Sequence, residues 1–240
     1  MTLKQYTPKR EPEIKLKKEA FEQNKRKIKA KAKKILALLD EHYPDDGICF
    51  LEYEKPWQLL ISTILAAQCT DARVNIVTRG LFKKYPDIKD FANANREELE
   101  QDIKSTGFYK NKAKSIIGAM DMLRKEYNGV LPNDIDKLLK FPGVGRKTAN
   151  VYLGRIHNIP AIVVDTHVKR ISGKLGLTYN TDPEKIEYDL MDILPKEHWI
   201  RYNTQIITHG RTVCTARRPK CGQCFLSQLC GGKAVGNKND

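Results

Sequence analysis

The sequence predicts an all-α protein, and three observations carry that prediction. Apolar residues recur at helical spacing almost throughout the 240 residues, capping patterns mark the breaks, and only one short run, Ala161 to Val164, has strand character. Four small or β-branched residues before an aspartate are too few to imply a sheet.

The elements follow in order. A long basic amphipathic stretch runs from about Ile14 to His42 and stops before Pro44. Pro56 then opens WQLLISTILAAQ, apolar on nearly every face, so this helix belongs in the middle of a domain. Asn95 with Glu98 forms a capping-box pattern, Asn111 precedes KAKSIIGAMDMLRKEY, Asn128-Gly129 punctuates its end, and Thr181 with Glu184 repeats the start signal. There is no internal repeat and no low-complexity linker.

With 40% hydrophobic and 8% aromatic residues the chain can bury a core without disulfide staples. Its net charge of +14 attracts polyanions, nucleic acid or an anionic membrane, before any specific contact forms. The charge is concentrated: residues 1 to 34 hold 13 Lys/Arg against 4 Asp/Glu, and residues 198 to 239 hold 7 Lys/Arg and no carboxylate. The two ends are therefore expected to share one basic face, or at least one of them to be a solvated tail. The most apolar stretch, Leu59 to Ala67, is nine residues long and contains Ser62 and Thr63, too short and too polar to span a bilayer. The opening MTLKQYTPKREPEIK lacks the apolar core of a signal peptide. A soluble, cytoplasmic monomer is expected, in which six cysteines serve as thiols or metal ligands.

Asn133 to Lys140 reads as a short helix, Phe141-Pro142-Gly143-Val144-Gly145 breaks it, and Arg146 to His157 resumes a helical pattern. This is a helix-hairpin-helix. Pro142 stops the first helix, and Gly143 and Gly145 are expected to permit positive φ and a close backbone approach. The second helix presents its free N–H groups and positive dipole end to a phosphate. Gly143, Val144, Gly145 and Arg146 are thus candidates for binding a DNA backbone without reading its sequence.

Lys147 sits in the first turn of that second helix, where a solvated surface lysine is the ordinary reading. The alternative is a nucleophilic amine, its neutral form favoured by the dipole end and the Arg146 charge together with some burial. Eighteen residues on, Asp165 leaves the apolar run Val163-Val164 to begin a helix; N-capping explains it and is compatible with a catalytic carboxylate.

Cys214, Cys221, Cys224 and Cys230 form C-x6-C-x2-C-x5-C within seventeen residues. Four thiols so close point to a metal. Four thiolates fit either zinc or an iron-sulfur cluster, and spacing alone favours zinc, because a C-x2-C pair is common in zinc sites. Between the first two cysteines lies a basic loop with Arg217, Arg218 and Lys220, suited to phosphates. Cys49 and Cys69 are expected to pack in a core.

FPGVGRKTANVYL, VVDTHVKR, HGRTVC and the four-cysteine loop, in that order and spacing, resemble the endonuclease III family. AAQCTDARVN at 66 to 75 and STGFYKNKA at 105 to 113 also resemble family segments, and the likeness runs from about Lys29 to Gly231. It implies a helix-hairpin-helix glycosylase fold of two helical domains with a cleft for an extruded base. A six-helix barrel would span 48 to 159. A cluster domain would combine 25 to 47 with 160 to 232, leaving a basic extension at 1 to 24 and a tail at 233 to 240. A [4Fe-4S] cluster on the four cysteines is implied in place of zinc, with Lys147 and Asp165 as the catalytic pair.

The same resemblance has Gln68 and Phe108 enter the duplex, although Phe108 stands where the family commonly has an aliphatic residue; on composition alone it would be a core side chain. The implied activity is removal of oxidised pyrimidines from double-stranded DNA, followed by cleavage 3′ to the abasic site. An adenine-mismatch glycosylase would need an acid before the glutamine segment, and Leu59 to Ala67 has none. A mismatch-thymine glycosylase would not be expected to carry the lysine. A non-catalytic binding module would need only the hairpin and the metal.

Overall fold

A computed structural model describes residues 10–44 and 49–234; the ends of the basic extension and of the C-terminal tail lie outside the described residues. The helices in chain order are α1 (Arg10–His42), α2 (Pro56–Leu65), α3 (Asp71–Lys84), α4 (Ile88–Ala92), α5 (Arg96–Asp102), α6 (Tyr109–Tyr127), α7 (Ile135–Leu138), α8 (Arg146–His157), α9 (Thr166–Lys174), α10 (Pro183–Ile193) and α11 (Trp199–Thr212). Among the described residues there is no strand, and the Ala161 to Val164 run is extended but unpaired in any sheet. No described helix is long and apolar enough to cross a membrane.

The chain divides into two compact units, Gly47–Ala161 and a discontinuous one made of Met1–Asp46 with Ile162–Asp240. The Gly47–Ala161 unit is built around α2. Trp57, Leu59, Leu60, Ile61, Ile64 and Leu65 of this helix are all buried, as its all-round apolarity requires. It packs against α3, α6 and α8, while α4 and α5 pack against α6. Pro56 starts α2, and Gln58 reaches back to accept from the Glu54 and Lys55 amides at 2.7 and 2.9 Å.

Capping marks several boundaries. Asn95 accepts from the Glu98 amide at 3.0 Å, and Asn128 closes α6 in the left-handed conformation with Gly129 following at φ +78°. Two expected starts move. The helix placed after Asn111 begins at Tyr109, because Phe108 takes the left-handed cap position. The start assigned to Thr181 belongs to Asp182, whose carboxylate accepts from the Lys185 amide at 3.1 Å with Pro183 at the first helical position.

In the discontinuous unit α1 supplies Phe21, Ile35, Leu36 and Leu39 to a core shared with α9, α10 and α11. Asp40 ties α1 to α11: it accepts from Gln205 at 2.8 Å and faces His198 at 3.0 Å and Arg201 at 3.5 Å. Burial acts to raise its pKa, but the Gln205 and His198 hydrogen bonds with the Arg201 charge outweigh it and hold the carboxyl below its ordinary value. The basic extension is expected at residues 1 to 24, of which residues 1 to 9 lie outside the described residues. The helix already runs from Arg10, and Phe21 is 7% exposed with its ring 5.0 Å from that of Tyr179.

Candidate active site

The hairpin joins α7 to α8. The α7 helix is a single turn, shorter than Asn133 to Lys140, with Asp134 capping it through the Lys137 amide at 2.9 Å. Gly143 has φ +77°, and a Cβ there would lie 2.6 Å from the Ser115 Cβ of α6, so both conformation and packing demand glycine. Gly145 differs from expectation: its φ is −97°, within reach of any residue, and a Cβ would meet nothing within 4 Å. Its missing side chain leaves open space over the first turn of α8, where a backbone or phosphate can approach. The Val144 side chain is buried, and its amide donates to the Phe141 carbonyl at 3.1 Å.

Lys147 occupies the second position of α8 and is exposed, without the burial the sequence reading added, and Arg146 beside it is half-buried. The hairpin thus gathers Gly143, Val144, Gly145, Arg146 and Lys147 on one short segment.

Gln68 and Phe108 share an unusual feature. Both are non-glycine residues at positive φ, 54° and 48°, and both side chains are exposed, Phe108 to 63%. The core-packing reading of Phe108 therefore fails: the left-handed cap of α6 turns the ring outward. A residue that sequence reasoning gave no role, Lys112, lies between their segments. It is 4% exposed, and its Nζ donates to the carbonyls of Leu65 and Thr106, each at 2.8 Å. Cys49 and Cys69 pack partly buried against the same core, and burial pushes the Cys49 thiol up.

In the discontinuous unit Asp165 caps α9, its Oδ1 accepting from the Val168 amide at 2.7 Å. Asp165 as a whole is half-buried. The four C-terminal cysteines line one largely apolar pocket walled by Lys174, Val213 and Pro219. Burial raises the Cys224 pKa, and each of the other three cysteines raises it further. Four thiolates can coexist there only with compensating positive charge, which a metal centre supplies.

Among the described residues no three His, Cys, Asp or Glu side chains are gathered as one metal ion requires. The four thiols line one cavity, a donor set that fits an iron-sulfur cluster. Arg170 donates to the Cys214 carbonyl at 2.7 Å and approaches its Sγ at 3.4 Å, while the His209 Nε2 lies 3.5 Å from the Cys224 Sγ. Burial, then the Arg170 and His42 charges, push the His209 pKa down to about 4, so the ring is neutral at physiological pH. Both residues fall inside the motifs VVDTHVKR and HGRTVC, but only the fold reveals what they touch. Gly210 makes room for the His167 ring, which a Cβ there would strike. Arg217, Arg218 and Lys220 are exposed on the loop between the first two cysteines, which Thr215 and the Lys220 to Val213 backbone bond close.

Comparison with known proteins agrees with this geometry. Residues 61–196 match the model of the HhH-GPD superfamily base excision DNA repair proteins, and residues 214–230 match the iron-sulfur binding domain of endonuclease III. Endonuclease III of Synechocystis sp. is 51% identical over 203 residues, covering 84% of this chain and 92% of that one. Endonuclease III of Bacillus subtilis is 46% identical over 183 residues, covering 76% and 84%. The structure of a trapped endonuclease III–DNA covalent intermediate, an estranged-adenine complex, superposes with a TM-score of 0.81 at 45% identity, covering 85% of this chain and 97% of that one. The chain accordingly carries a [4Fe-4S] cluster, and the iron-sulfur binding match spans the segment from Cys214 to Cys230. With its hairpin, its capped aspartate and its cysteine pocket in the matched order, the chain belongs to the endonuclease III family of helix-hairpin-helix base-excision repair proteins.

Proposed function

We propose that this protein is a bifunctional DNA N-glycosylase and abasic-site lyase that removes oxidised pyrimidines from double-stranded DNA. It would act as a single chain in the cytoplasm, cleaving 3′ to the abasic site. The observation that carries the reading is the hairpin: an exposed lysine on the first turn of α8, directly after a turn whose Gly145 leaves room for a phosphate.

The steps follow from this chain's own groups. The hairpin amides and the exposed Arg217, Arg218 and Lys220 grip flanking phosphates, and the damaged nucleotide is rotated out at a cost of a few kcal/mol, least for weakened pairs. Gln68 and Phe108 fill the gap. The Lys147 amine, in its neutral form, attacks the anomeric carbon as the glycosidic bond breaks and the base departs. The Asp165 carboxylate stabilises the positive charge that develops on the sugar and assists proton transfer. The resulting Schiff base acidifies the adjacent sugar C–H, and β-elimination releases the strand on the 3′ side.

When bound, the [4Fe-4S] cluster supplies iron–thiolate bonds through Cys214, Cys221, Cys224 and Cys230. Pinning the first two of these fixes the ends of the basic loop. The test is a panel of duplexes, each with one lesion: oxidised pyrimidines should be excised and nicked fastest. Preference for a mismatched thymine or adenine over every oxidised pyrimidine would overturn the reading.

A further inference from the structure

We infer that Lys112 is a positioning residue that clamps the two loops carrying Gln68 and Phe108 into one rigid gap-filling device; this rests on the duplex-entry roles given to those two residues above. Lys112 is on the first turn of α6, yet its side chain is 4% exposed and points into the Gly47–Ala161 unit. There the ammonium donates at 2.8 Å to the Leu65 carbonyl, the last residue of α2, and at 2.8 Å to the Thr106 carbonyl. Gln68 follows three residues after the first acceptor and Phe108 two residues after the second.

A buried ammonium is a costly way to fill space, since a methionine would fit with no charge to desolvate. A lysine near a helix start is also opposed by the dipole of its own helix. Both costs are offset because two carbonyls from different segments converge on one cation, and one of them lies at the negative end of α2. Burial pulls the Lys112 pKa down, as this placement requires, with the Cys69 thiol acting in the opposite sense.

Beyond the clamp each loop is strained. Gln68 and Phe108 hold positive φ without being glycine, and conformations of that kind persist only where the surroundings over-determine them. Lys112 hydrogen-bonds to both loops, and on this account its removal lets each relax separately. Gap filling then needs two ordering events in place of one.

The test is Lys112→Met, made in the full-length cluster-loaded protein and assayed in single turnover at saturating enzyme. Excision from a lesion duplex should fall at least tenfold, while cleavage of an abasic site in single-stranded DNA, which needs no gap filling, should stay within twofold of wild type. Lys112→Arg, which keeps the charge and two donors, should recover part of the duplex rate. An unchanged duplex rate, or an equal loss on both substrates, would overturn the clamp.

A second measurement leaves Lys112 intact: a cycle of Gln68→Ala, Phe108→Ala and the double variant on the lesion duplex. Residues held as one device should lose little more together than the worse single variant loses alone, and fully multiplicative losses would contradict the clamp. If neither single variant slows duplex excision, the duplex-entry reading fails and takes the clamp with it. If both slow it and Lys112→Met does not, only the clamp is overturned.

Discussion

The Asp165 carboxylate accepts a hydrogen bond from the Val168 amide at 2.7 Å and so fixes the first turn of α9. Cap and charge can be separated by substitution. Asp165→Asn keeps an acceptor at the cap, so its melting temperature should change little while the chemical step falls by orders of magnitude. Asp165→Ala should lose the same chemistry and about 1 kcal/mol of stability as well. Wild-type turnover in Asp165→Asn would reduce the residue to a cap.

The two hairpin glycines should respond in opposite ways. Gly143→Ala meets both positive φ and the Ser115 side chain at 2.6 Å, and should destabilise the fold by more than about 1 kcal/mol. Gly145→Ala has ordinary φ and open space, so its melting temperature should hold while DNA affinity drops about tenfold, roughly 1.4 kcal/mol. Thermal melts alongside titration of an abasic-analogue duplex distinguish the two; equal melting temperatures for both variants would refute the assignment.

The cysteine pocket should hold iron and sulfide in equal amounts, and protein purified anaerobically should be brown. Cys224→Ser should lose the visible absorption and, with the basic loop no longer pinned, weaken DNA binding. Stoichiometric zinc with no charge-transfer band would contradict the cluster.

Truncation at the N-terminus should show where the extension ends and the core begins. Phe21 is buried against Tyr179, so a deletion through residue 24 should cost about 3 kcal/mol, as should Phe21→Ala. Deletion of residues 1 to 9 should leave melting unchanged and flatten only the salt dependence of DNA binding. Equal stability of the two truncations would mean that Phe21 contributes nothing to the core.

Much of this was legible in the residues themselves. The all-α fold followed from spacing and caps because helix signals are local: Asn95, Asn128 and Pro56 act within one turn of themselves. The α8 boundaries were readable for the same reason, since Gly145 and His157 bracket one uninterrupted pattern. What escaped was anything set by distant contacts. Phe108 reads as a core residue until its left-handed backbone turns it outward, and Gly145 reads as a positive-φ glycine when its role is empty space. Lys112 reads as one basic residue among 43, because its carbonyl partner at Leu65 is 47 positions away. Arg170 and His209 gain their meaning only when the fold brings them to Cys214 and Cys224.

The central claim is that the Lys147 amine forms the covalent link to DNA. The direct measurement is borohydride trapping on a duplex with one oxidised pyrimidine, comparing wild type with Lys147→Gln. Lysine 147 is exposed on the first turn of α8, so the substitution should leave the fold and DNA binding intact. Wild type should give a stable protein–DNA adduct, and peptide mapping should place the reduced amine on Lys147; Lys147→Gln should bind the duplex yet give no adduct and no nick. Trapping by Lys147→Gln at the wild-type level would show that another amine is the nucleophile.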